Sequence, residues 1–132
     1  MRVGSVWERS SAQAVSLRNL FGKDWGIASR WWGNVPVRNV EGKVSGGEEI
    51  ELDVVAASED GRSLLIGECK WNAPDFADRL LRVMKAKVAA IPQFSKYEVE
   101  YVLFLREHPI DADTLDDLGV HVLYPEDVIS LL

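Results

Sequence analysis

The tightest constraint in this chain is a turn. Ser58-Glu59-Asp60-Gly61-Arg62 separates two strand-like runs, residues 48–57 and 63–71, and Asp-Gly between apolar runs is a strong hairpin signal. In the first run Glu49, Glu51 and Asp53 alternate with Ile50, Leu52 and Val54, so acids and apolar residues take opposite faces. A two-residue Asp60-Gly61 turn sets Glu59 against Arg62, and every opposed pair then sums to 121. Asp53 falls across from Glu68 and Glu51 across from Lys70, all four on one face. A longer loop of even length would slide the partners and keep the faces.

Directly opposed side chains have Cβ atoms about 5 Å apart. Two carboxylates at that distance repel by roughly 3 kcal/mol at an effective dielectric of 20. A positive charge must sit between them. Lys70 is one source; a divalent cation is the other, since Mg²⁺ takes oxygen ligands and keeps several waters. The strand leading to Glu68 is otherwise apolar (Leu64, Leu65, Ile66), and a buried acid at its end is costly unless paired or coordinated. Gly67 permits a close approach on the opposite face. Cys69 points away from the acids into the core, while its backbone carbonyl lies between Glu68 and Lys70 as a further candidate ligand. The plain alternative is an ion pair of Lys70 with Glu68 or Asp53 and no chemistry.

The remaining pattern gives an α/β protein with a mixed β-sheet flanked by helices, in the order α-β-β-β-α-β-α-β-α. Helices are expected over residues 5–21, stopped by Gly22, and from residue 72 to about 90, with Phe76, Leu80, Val83, Met84 and Val88 as the apolar stripe. Residues 27–40 read as a strand, 42–47 as a turn-rich link, and 99–105 and 120–124 as later strands. Short helices are expected at 111–118 and from Pro125. At 132 residues the chain fits one domain. No apolar run reaches the roughly 18 residues of a membrane span, so no membrane partner is expected. One cysteine, Cys69, excludes an internal disulfide and fits a cytoplasmic protein.

The net charge of −6 is uneven. Residues 1–45 and 62–96 each carry seven Lys/Arg against three Asp/Glu, and residues 107–132 carry seven acids and no Lys or Arg. Local patches set the field at a cleft, so the total charge does not exclude nucleic acid. No Walker loop, no G-x-G-x-x-G and no H-E-x-x-H occurs, which argues against ATP hydrolysis, dinucleotide binding and zinc proteolysis by these residues.

Asp53, fourteen residues, then Glu68-Cys69-Lys70 resembles the D…(D/E)-x-K signature of the PD-(D/E)XK, or restriction-endonuclease-like, nuclease superfamily. Four blocks in order sharpen this: Gly4-x-x-Trp7-Glu8, Arg30-Trp31-Trp32, residues 51–56 (Glu-Leu-Asp-Val-Val-Ala), and Gly67-Glu68-Cys69-Lys70-Trp71. They look like the nuclease-like C-terminal domain of unknown function of archaeal-type AAA ATPases, over residues from about 4 to about 90. The superfamily's Pro before the Asp is absent, Leu52 standing there. The resemblance implies a restriction-endonuclease-like core and Mg²⁺-dependent phosphodiester cleavage, for which Mn²⁺ can substitute. Asp53 and Glu68 would bind metal, Lys70 would orient or polarise the attacking water, and Glu8 would face the site as an accessory acid. Nucleic acid, DNA before RNA, is the implied substrate. Met1 precedes Gly4 by three residues, so this is expected to be the C-terminal part of a longer ATPase chain.

On the helix after Lys70, Arg82 and Lys85 are three apart and could meet backbone phosphates, although a solvated polar face is the simpler reading. Adjacent strand residues point to opposite faces, so at least one of Trp31 and Trp32 is core, and both are expected there. The rival functions are a catalytically silent nucleic-acid-binding module and a protein-interaction domain, with a homo-oligomer compatible with either.

Overall fold

The computed structural model describes residues 8–12, 19–71 and 77–131, and of Arg38 and Asp116 the backbone alone. Residues 8–12 are helical (α1). The helix expected over 5–21 does not reach its far end, for Asn19–Leu20 (β1) and Lys23–Asp24 (β2) form a small hairpin instead. Phe21 (φ 56°) and Gly22 (φ 77°) both take left-handed backbone, which two-residue hairpin turns of the primed type require. The Trp25 indole N–H ties this hairpin down by donating to the Leu20 carbonyl at 2.9 Å.

Among the described residues, five strands make the main sheet, in the order β3-β4-β5-β6-β7. β4 (Val44–Ala57) runs antiparallel to both of its neighbours, β3 (Ser29–Arg38) and β5 (Ser63–Lys70). β6 (Glu98–Leu105) and β7 (His121–Leu123) then add in parallel. Parallel neighbours need a crossover, and α2 (Asp78–Ala90) with a 3₁₀ turn (Pro92–Phe94) supplies the one from β5 to β6. α3 (Ala112–Asp117) precedes β7, and α4 (Pro125–Leu131) follows it. This is the α/β class expected, a mixed sheet flanked by helices. No helix among the described residues is long and apolar enough to cross a membrane.

The expected link at 42–47 is shorter than its sequence suggests, because Val44 to Gly47 already belong to β4. The Asn39 side chain makes the turn by accepting the N–H groups of Glu41 and Lys43 at 2.9 and 3.0 Å. A local side-chain bond of this kind closes a turn in few residues.

Each face of the sheet carries an apolar layer. On one side α2 packs Leu81, Met84 and Val88 over Leu52, Ile66 and Leu103. On the other, Trp25 and Val128 cover Val54, Leu65 and Phe104. Val83, expected in the helix stripe, is instead 45% exposed, and Leu81 takes the buried position. Phe76 lies outside the described residues. The start of α2 is held from a distance: the two Asp111 carboxylate oxygens accept the N–H groups of Ala77 and Asp78, both at 2.8 Å. On the Trp25 side, Glu100 of β6 takes Lys23 at 3.0 Å and His121 at 2.7 Å. Burial raises the Glu100 carboxyl, but the bonds from His121 and Lys23 outweigh it and leave it below its ordinary value.

Candidate functional site

The hairpin keeps the register that the turn arithmetic gives. Val54 pairs with Gly67, Val55 with Ile66, Ala56 with Leu65 and Ala57 with Leu64. The loop is longer than two residues, since Ser58 and Ser63 close it with a backbone bond of 2.9 Å. The register survives because the loop is even in length.

The ladder stops at Val54–Gly67, one step short of Asp53 and Glu68. Past that point the Asp53 side chain takes over: its Oδ2 accepts the Cys69 backbone N–H at 2.9 Å. A strand residue presents its N–H and C=O to the same neighbour, so the Cys69 carbonyl is turned toward this opening as well. The cause lies in β4. Between the pairs Ser29–Val55 and Trp31–Leu52, β3 advances two residues and β4 three. That extra residue is a bulge, which kinks a strand and re-aims a side chain. It also flips the facing: Leu52 joins the α2-side layer and Val54 the opposite one, two residues on.

Glu68 is 8% exposed on the buried strand β5. Gly67 before it has no room for a side chain; a Cβ would lie 2.8 Å from Phe104 and 3.1 Å from both Val102 and Val54. The Glu68 carboxyl is pushed up to about 7. Burial is the largest cause, followed by the Asp53 charge and by a hydrogen bond that the protonated form donates to Asp53. Lys87 opposes the shift. Its Nζ donates to Glu68 Oε1 at 3.3 Å and to the Glu51 carbonyl at 2.9 Å, joining α2 to both strands. Cys69 is buried on the other face, as expected. Burial, and then the Asp53 charge, push its thiol well above the ordinary range.

The other candidates are distributed around this pair. Glu51 does not meet Lys70; its carboxylate binds Arg30 at 2.9 Å, because the bulge sends it to the face opposite Leu52. Lys70 is exposed and forms no ion pair among the described residues. Glu8 of α1 lines a cleft of about 340 Å³ with Arg9, Ala12, Arg30 and Asp53. Arg82 is bonded to Asp78 at 3.4 Å, and the Lys85 ammonium stands 5.7 Å from the centre of the Tyr101 ring. Trp31 is packed as expected, 5.3 Å from Phe94 between ring centres, but Trp32 is 64% exposed rather than core. Sequence reasoning placed Lys87 on the helix without its role. Only the packing phase of α2 against β5 reveals it.

Residues 2–88 match DUF234, described as archaeal and bacterial proteins of unknown function. The chain belongs to the DUF234 family. No curated protein matches it. The DUF234 match spans β3, β4, β5 and most of α2, so Glu8, Asp53, Glu68, Lys70 and Lys87 all fall within it, whereas Glu100 and Asp111 do not.

The donor set in this DUF234 chain suits a hard divalent cation. Among the described residues no three His, Cys, Asp or Glu side chains converge, so the side-chain ligands would be two, Asp53 and Glu68. One oxygen of each is engaged, by Cys69 N–H and by Lys87, and an ion would take the place of the proton that bridges Glu68 to Asp53. Magnesium commonly binds through one or two carboxylates and keeps waters. Such an ion would offset the Asp53 charge, which after burial is the next cause of the raised Glu68.

Proposed function

We propose that this domain is a cytoplasmic, Mg²⁺-dependent nuclease with a restriction-endonuclease-like core, attached to an ATPase module in its parent chain. One observation carries the reading: a buried Glu68 is pressed against Asp53 where β4 and β5 part, and a fold built for stability alone would avoid that placement. The ion would neutralise charge on a phosphate oxygen and lower the pKa of a bound water. Asp53 and Glu68 hold it. Lys87 keeps Glu68 oriented and partly neutralised from the α2 side. Lys70, exposed at the end of β5, is free to swing toward the attacking water, and Glu8 adds acidity across the α1 cleft.

The test supplies Mg²⁺ or Mn²⁺ with single- and double-stranded DNA and RNA. Cleavage by the wild type and a loss of 100-fold or more (~10²) in Asp53→Ala, Glu68→Ala and Lys70→Ala is the expected result. Wild type and variants behaving alike would end the enzyme reading. A catalytically silent interaction module is the second reading. Val37, Val40 and Val44 favour it, being 38%, 104% and 59% exposed on the β3–β4 ribbon, since clustered exposed apolar groups mark contact surfaces.

A further inference from the structure

The two sides of the sheet around Asp53 differ in surface chemistry. On the α2 side a cleft of about 630 Å³ is lined by Glu48, Glu49 and Glu51, with Lys87 as the base among its lining residues. The bases on that side already have partners: Lys87 is bonded to Glu68 and to the Glu51 carbonyl, Arg82 is tied to Asp78, and Lys85 stands over Tyr101. On the α1 side the cleft that reaches Asp53 carries Arg9 and Arg30. Trp32 follows Arg30 by two residues on β3. The two therefore share a face, about 7 Å apart along the strand. The core contact at this point is made by Trp31, on the other face, so the 64% exposed Trp32 ring serves no packing role of comparable size.

We propose that Trp32 is a stacking platform for an unpaired nucleobase, whose strand runs along Arg30 and Arg9 to the carboxylate pair. This rests on the nuclease reading and names its substrate class: single-stranded or locally unpaired nucleic acid. A base offers its flat face to an indole only when it is not stacked in a duplex, and sheet-borne aromatics next to basic side chains bind strands this way. The platform is tolerant of sequence, because every base has such a face. The local charge adds a condition. Arg9 and Arg30 face Glu8, Asp53 and Glu51, so a polyanion is drawn in only after a divalent cation offsets the acids. Strand binding therefore depends on metal.

The test is fluorescence anisotropy with a labelled oligothymidine of about 20 nucleotides, longer than one platform needs, and a duplex of equal length. Each is titrated in Ca²⁺ and in EDTA. The wild type is expected to bind the strand in Ca²⁺, and to bind it more weakly in EDTA. Trp32→Ala weakens strand binding by about fivefold or more while duplex binding changes less, and Trp32→Phe recovers most of the loss. Thermal melting of Trp32→Ala, expected to match the wild type, excludes a folding defect. Equal loss on strand and duplex overturns the proposal, as does no loss on either. So does a Trp32→Ala variant that loses self-association in sedimentation yet binds the strand normally, since Trp32 would then serve a protein contact. Calorimetric Mn²⁺ binding, compared between wild type and Asp53→Ala, separates failure of the nuclease reading from failure of this one.

Discussion

Glu68 keeps its proton to about 7 in the fold but to about 4.5 in the unfolded chain. Its raised value makes it a stabilising group below pH 4.5, and that contribution is lost as pH climbs through 7. The full shift corresponds to as much as about 3 kcal/mol, at 1.36 kcal/mol per unit. Glu68→Gln keeps the shape and removes the titration. Chemical denaturation in EDTA is therefore expected to show wild type losing stability relative to Glu68→Gln between pH 5 and pH 8 (roughly the window of the shift). A constant difference across that range would contradict the placement of Glu68 beside Asp53. At the residue scale, the nearness of Asp53 to Glu68 was legible because strand register is integer arithmetic once a turn is fixed, and the ladder holds to Val54–Gly67, one step away. The expected Glu51–Lys70 pairing does not form, because of the β4 bulge, which leaves no mark in the local pattern. Lys87 was illegible for another reason: helix phase against a sheet is set by packing in three dimensions.

Among the elements, α2 is the one on which the site depends, since it carries Lys87 to Glu68. Its N-terminus has no side-chain cap of its own, and Asp111, thirty-odd residues on, satisfies two backbone donors there. Four N–H groups at a helix start lack partners within the helix, and a carboxylate also suits the positive end of the dipole. Asp111→Ala is expected to cost about 1–2 kcal/mol in urea denaturation. A change below about 0.3 kcal/mol would show that the contact is incidental. β5 is held as tightly at Gly67, where a Cβ would come within 2.8 Å of Phe104. Gly67→Ala is expected to cost about 1–3 kcal/mol by the same measurement, and no loss would contradict the packing. The later elements were readable from turn residues and periodicity. The stretch after α1 misled because the spacing of Leu20 and Phe21 fits a helix, and only their tertiary contact with Trp25 selects the hairpin.

For the whole molecule, the antiparallel half of the sheet (β3, β4, β5) bears the acids and the parallel half (β5, β6, β7) gives the apolar backing. The class of fold was readable because three strands followed by alternating helices and strands admit few arrangements. The make-up of the two clefts was not, because the segments that line each are distant in sequence. The proposed ion would sit at one point in space, the opening between β4 and β5. A crystal soaked in Mn²⁺ and measured for anomalous scattering examines that point directly. An anomalous peak within coordination distance of both the Asp53 and Glu68 carboxylates, absent in Asp53→Ala, is the result the account requires. An empty opening at saturating Mn²⁺, with Glu68 still bonded to Lys87, would contradict it.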